Sequence, residues 1–234
     1  MSVLRLTAVS LASLLFLMQN AVAGPPPVPF VSVYDVSSGG LTIGQMTRRF
    51  QINAAGDYEF TSHFTTTGLA GAFKHVAIEE SSTGRFVQDR FHPGEYRYRK
   101  ENGRKRQTIV IHFNWPLGRA EGTTDTKSWS APLSGDELDK LSYQLALASD
   151  LREHKTALEY RVPDNGKVDT FPIRIVREET LTGEKSERKL VRVEYLRRDT
   201  RRTTLWCDPA RAYLPVKIEY REKDGSLSVA LLRR

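Results

Sequence analysis

The stretch YRYRKENGRKRQTIVIHFNW, Tyr96 to Trp115, decides the fold. At its centre Asn102-Gly103 tolerates positive φ, so the chain is expected to reverse there in a type I′ turn and form an antiparallel hairpin. In the returning strand Ile109, Ile111, Phe113 and Trp115 share one face, while Val110, His112 and Asn114 share the other. Such alternation describes a sheet with one buried face and one that is at least partly wet.

Working outward, the same alternation runs from Phe30 to Trp115. It is broken by small residues at Ser37-Ser-Gly-Gly40, Ala54-Ala-Gly-Asp57, Ser82-Thr-Gly84 and Glu101-Asn-Gly-Arg104, each expected to be a turn. Further strands are expected over 157–162, 167–179, 186–197, 203–207, 216–221 and 226–232. Asp164-Asn-Gly166, Thr182-Gly183 and Asp224-Gly225 mark turns between them. Between the two sets, Ser134-Gly-Asp-Glu137 has the pattern of a capping box and predicts a helix from there to Arg152. Its apolar residues do not form one stripe: Leu138, Leu141, Leu145 and Ala148 cluster on one side, with Tyr143, Leu147 and Leu151 nearly opposite. A helix apolar on two faces is packed on both. The expected class is therefore mainly β, a strongly curved antiparallel sheet forming a half-barrel or open barrel, with one main helix across its concave face.

The N-terminus reads as a secretory signal over residues 1–23, with Arg5 before the apolar run and small residues at Ala21 and Ala23. A proline-rich leader follows over 24–29, and a single β-rich domain is expected over 30–234. The signal points to an exported, periplasmic protein.

Catalytic patterns are absent from the sequence. Cys207, the one cysteine, lies in LWCDPARAYLPVKIEY (205–220), which reads as a strand, an Asp-Pro turn and another strand. No local histidine supplies the base a nucleophilic thiol needs, so a packing role is expected. His63, His75, His92, His112 and His154 are scattered singly, without the short spacings of metal ligands. Glu79-Glu80 and Glu178-Glu179 are adjacent in strands and point to opposite faces, so neither pair acts on one substrate. No metal, no cofactor and no enzymatic activity are expected.

The net charge of +7 is carried mainly by two clusters. One is the hairpin with Arg97, Arg99, Arg104 and Arg106; the other holds Arg201 and Arg202. An exported protein seldom meets nucleic acid, so anionic headgroups or an envelope protein or polysaccharide are the expected partners. The apolar segment Thr67-Gly-Leu-Ala-Gly-Ala-Phe73 has the composition of a cavity cover. Leu69, Phe73, Trp115, Leu141 and Leu145 are the expected lining of a site for a lipid or acylated ligand.

Blocks along the chain resemble the exported domain of unknown function 3108 family. They are YDVSSGGLTIG (34–44), the Gly68-Leu-Ala turn, Tyr96-Arg-Tyr with its Asn-Gly hairpin, Phe113-Asn-Trp, LSYQLAL (141–147), RRTTLW (201–206) and YLPVKI (213–218). That resemblance implies a bacterial envelope protein and supplies no catalytic residues. Family members often carry an aliphatic residue where this chain has Cys207. A looser similarity, through the Asp-Pro turn and Leu-Pro of 205–220, exists to the periplasmic lipoprotein carriers, which hold acyl chains inside a half-barrel. The expected function is a non-catalytic binder or carrier of a hydrophobic or acyl-bearing envelope molecule; alternatively, a module that docks through its basic hairpins.

Overall fold

The computed structural model describes residues 27–68, 71, 75–182, 187–197 and 200–233. The export signal and the start of the leader lie outside them, as do Leu69 and Phe73.

Fourteen strands form one antiparallel sheet: β1 (Phe30–Ser38), β2 (Leu41–Ile52), β3 (Asp57–Thr66), β4 (Val76–Val87), β5 (Arg90–Asn102), β6 (Lys105–Asn114), β7 (Arg119–Thr124), β8 (Lys127–Pro132), β9 (Leu158–Asp164), β10 (Lys167–Thr182), β11 (Glu187–Leu196), β12 (Arg202–Asp208), β13 (Leu214–Arg221) and β14 (Leu227–Leu232). Their spatial order is β8-β7-β6-β5-β4-β3-β2-β1-β14-β13-β12-β11-β10-β9. The first and last of these strands in chain order thus pair in mid-sheet, with Tyr34 opposite Leu232 and Val36 opposite Ala230. The seam of the nearly closed barrel falls between β8 and β9, where 25 residues (133–157) leave the sheet and carry α1 (Tyr143–Arg152).

The expected barrel and the doubly buried helix are both present. Tyr143, Leu145, Leu147 and Leu151 of α1 are buried together with Leu138 and Leu141 before it. They pack against inward residues of both halves of the sheet, including Phe50, Phe60, Tyr96, Ile111, Phe113, Val162, Phe171, Val193 and Leu205. Burying each such side chain contributes about 1.5–3 kcal/mol, and this interior holds the barrel without a disulfide.

The helix begins eight residues later than the capping-box pattern predicts, with Ser142 and not Ser134 at its N-cap. Glu137 accepts from the backbone N–H groups of Ser134 and Gly135 and from the Ser134 hydroxyl, so the serine donates instead of capping. Leu138 N–H donates to the Arg161 carbonyl of β9, which holds this segment along the sheet edge. Asp139 then accepts from the backbone N–H groups of Leu141 and Ser142, and the Ser142 hydroxyl accepts from Asp139 N–H. Side chains that bond nearby backbone in this way compete with helix until the motif is complete.

Two turns also differ from expectation. The Asn102-Gly103 hairpin has Gly103 and Arg104 as its loop, between paired Asn102 and Lys105. Only Gly103 has positive φ, as in a type II′ turn, which needs it at one position. Ser82-Thr-Gly84 is not a turn but the interior of β4, with a bulge at Gly84, where the carbonyl of His92 approaches too closely for any Cβ. The reversal comes at Gln88-Asp89, both left-handed and neither glycine.

Because every connection within the sheet reverses direction, turns alternate between the two ends of the barrel. One end carries Gly39-Gly40, the end of β3 and start of β4, Gly103-Arg104, Asn165-Gly166, the end of β11 and start of β12, and 222–226; we call it the basic end. The other carries Asn53–Gly56, Gln88-Asp89, 115–118 and 209–213, together with the start of β1.

Candidate functional site

At this second end lies a half-open cleft of about 380 Å³. Its floor is Phe50 and Phe91 from the strands with Leu145 and Ala148 from α1; Ser149 and Arg152 continue the same helix face at spacings of three and four residues. Pro27, Val28, Pro29 and Phe30 form one wall, and Ala210, Arg211, Ala212 and Leu214 form the opposite one. The lining is mostly apolar, with the two arginines its cationic groups, and the volume lies at the lower end of the range for small-molecule sites.

The 210–214 wall is conformationally costly. Asp208 accepts from Ala210 N–H at 2.9 Å and begins a 3₁₀ turn over Pro209–Arg211. Ala212 and Tyr213 then both take left-handed φ, +51° and +60°. For residues with a Cβ this costs about 1–2 kcal/mol each, and the Tyr213 N–H to Asp208 carbonyl bond helps to hold it. Strain of this kind beside a cleft is typical of a site whose shape matters.

Deeper inside, inward polar residues stand side by side across five strands. Ser32, Arg48, Ser62, Glu80 and Tyr98 are successive cross-strand partners. Beside this row, the hydroxyl of Ser82 donates to Asp139, and the Tyr58 hydroxyl meets Ser82 Oγ at 3.1 Å. Burial pushes the Asp139 carboxyl up to about 6, although Ser82 and the backbone of Ser142 and Leu141 favour its charged form. Glu80 is likewise raised by burial, while the Tyr96 hydroxyl donates to it at 2.7 Å.

The residues singled out from sequence do not converge. Leu145 lines the cleft; Leu141 is fully buried in the core; Trp115 stacks on Phe113, donates its indole N–H to the Pro93 carbonyl and does not line the cleft. The arginines stand on the hairpin and turn of the basic end. Arg97 pairs with Glu95, and Arg99 and Arg106 share Glu101, so acids of the same hairpin neutralise much of its charge. Arg104 sits at the exposed tip, and Arg201 donates to the Tyr220 hydroxyl at 3.4 Å. Arg202, exposed, borders the same turn region. Topology thus brings to one end two basic clusters about a hundred residues apart in the chain.

A family profile described as "Protein of unknown function (DUF3108)" matches residues 33–232. The chain belongs to that family. Among solved structures, this DUF3108 chain is similar to a beta-barrel-like protein of domain of unknown function DUF1849 from Brucella abortus. The TM-score is 0.57 at 12% identity, covering 88% of this chain and 96% of that one. At that identity the likeness concerns the fold. No curated protein matches the chain significantly.

The DUF3108 match ends at Leu232 and begins at Val33, so it leaves out Pro27–Phe30, which wall the cleft. Sequence reading missed that role for the leader because nothing in a proline-rich segment says what it packs against. It also missed Arg48, whose row becomes visible only in the strand register.

Cys207 is buried at 1% exposure, and desolvation pushes its thiol up to about 12. Its thiolate is thereby suppressed, in keeping with packing. The adjacent Trp206, on the outer face, lies between the Lys217 ammonium at 4.2 Å and the Arg192 guanidinium at 5.4 Å, and donates to Glu179 at 2.7 Å. Hydrogen bonds from Trp206, Arg177 and Arg192 hold the Glu179 carboxyl down at about 2.

Proposed function

We propose that this protein is a periplasmic, non-catalytic binder or carrier of a hydrophobic or acyl-bearing envelope molecule. The observation that carries the reading is the half-open apolar cleft floored by Phe50, Phe91 and Leu145, with Arg152 and Arg211 placed to meet an anionic group on the ligand. The export signal read from residues 1–23 supports the location.

Native mass spectrometry of the protein purified from a bacterial periplasm, with solvent extraction of anything carried along, tests it. A stoichiometric lipid or acylated species that is lost on Ala148→Trp, which fills the cleft, is expected. A clean apo mass that stays unchanged after incubation with envelope lipids would exclude the reading.

The shared location of the two basic clusters favours a second reading, docking of the basic end on an anionic envelope surface. Binding to anionic polysaccharide or to an envelope protein would then weaken with salt. Combined Arg104→Glu and Arg202→Glu would abolish it while leaving cleft occupancy unchanged.

A further inference from the structure

Arg48 presents an unusual combination of burial and incomplete pairing. It points inward from the middle of β2 with 9% of its surface accessible, and a guanidinium stays protonated at any ordinary pH. Its Nη1 donates to the side-chain oxygen of Gln144 on α1 at 2.7 Å, a neutral acceptor. Its Nε is buried without a hydrogen-bond partner. The ring of Tyr34 lies 5.9 Å from the guanidinium carbon, and its own hydroxyl donates elsewhere, to the Pro215 carbonyl; the Tyr143 hydroxyl of α1 is also within electrostatic reach.

The acids that might balance this charge are otherwise engaged. Glu80 lies within electrostatic reach but accepts from Tyr96 and is pushed by burial toward its neutral form. Asp139 is filled by Ser82, Leu141 and Ser142. A buried cation satisfied by one amide carbonyl is costly, and such an arrangement calls for a counter-charge.

The surroundings indicate where that counter-charge enters. Ser32 and Ser62 flank Arg48 on the neighbouring strands, both buried. One row nearer the basic end, the inward residues are Tyr34, Met46, Phe64 and Ile78, three of them only half-buried although they face the barrel interior. Met46 and Phe64 pack on the small apolar cluster of Tyr34, Val36 and Ala230 and still retain accessible surface. Beyond them stand Arg104 and Arg202, exposed at the basic end, whose field draws anions to the mouth.

We propose that Arg48 anchors an internal site for a single oxyanion, carboxylate or phosphate, entering from the basic end with its apolar portion along Met46, Phe64 and Ile78. The site is separate from the cleft, on the other side of the Phe30–Phe50–Phe60 layer, and does not depend on the function proposed above. The free edge of the guanidinium supplies the charged donors, and the hydroxyls of Ser32 and Ser62 stand beside it as neutral ones.

Calorimetric titration of the purified protein with sodium decanoate, 1-decanol and inorganic phosphate tests this. Charge-assisted hydrogen bonds of this type contribute about 1.5–3 kcal/mol, so decanoate is expected to bind about ten-fold or more tightly than decanol. Arg48→Met, which keeps the aliphatic stem, is expected to erase that preference, and Arg48→Lys to retain part of it. Preference for decanoate with no response to phosphate identifies an amphiphile; phosphate binding that is lost in Arg48→Met identifies the free ion as sufficient. Equal affinities for decanoate and decanol in the wild-type protein, with no phosphate binding, would overturn the proposal, and this comparison needs no variant to fold. A decanoate preference that survives Arg48→Met but disappears on Ala148→Trp would place the anion in the cleft and likewise overturn it.

Discussion

The hydroxyl of Ser82, in the middle of β4, donates to the carboxylate of Asp139, 57 residues later in the segment that fills the barrel seam. One hydrogen bond thereby joins the wall to the plug, and the same carboxylate organises the turn that delays α1. Asp139 is fully buried, and its carboxyl is pushed up to about 6 from 3.8.

The sign of the resulting pH dependence follows from that shift. Between about pH 4 and 6 the folded state holds a proton on Asp139 that the unfolded chain has lost, so this group's contribution to stability falls as pH rises through that window and is flat above it. Glu80, raised as well, acts in the same direction. Relative to wild type, Asp139→Asn is expected to gain about 2–3 kcal/mol between pH 4 and pH 7. Urea unfolding at both pH values checks it; an unchanged difference between variant and wild type would refute it.

Glu179 carries the opposite sign. Its carboxyl is held at about 2, so the stability it contributes is present above about pH 4.5 and is lost as pH falls toward 2. Trp206→Phe removes the indole donor and is expected to cost about 1–2 kcal/mol at pH 7. In acid titration the loss should shrink as pH falls toward 2, where the wild-type carboxyl also takes up its proton.

Cys207, buried with its thiol near 12, is expected to resist iodoacetamide at pH 8 while the protein is folded and to react fully in denaturant. Rapid labelling of the native protein would contradict the burial. Cys207→Ala should cost about 1 kcal/mol, as expected for a small buried residue that only packs.

Gly84→Ala tests the β4 bulge. A Cβ there collides with the backbone carbonyl of His92, which no side-chain motion relieves. A loss of about 3 kcal/mol is expected in thermal or denaturant unfolding. Gly103→Asn, at an exposed turn with open space around it, should cost about 1 kcal/mol or less, since asparagine tolerates positive φ.

The family and the outline of the fold were legible in local patterns. Alternation at Ile109, Ile111 and Phe113 marks strands because successive side chains point to opposite faces, and the opposed apolar faces of α1 require cover on both sides. Two local signals misled for physical reasons. Ser134-Glu137 has capping-box spacing, but Leu138 finds a sheet partner in Arg161, and Asp139 supplies a competing turn. Ser82-Thr-Gly84 has turn composition, yet its glycine accommodates a neighbouring strand.

By itself, then, the sequence determined a curved antiparallel sheet wrapped on a helix, because periodicity and turn chemistry act over a few residues. Only the tertiary structure decided which residues share a site. The cleft draws on five segments, from Pro27 to Leu214, and the row from Ser32 to Tyr98 exists only through the register of five strands. Register and barrel closure are set by the sum of long-range packing, and no short stretch of sequence carries that sum.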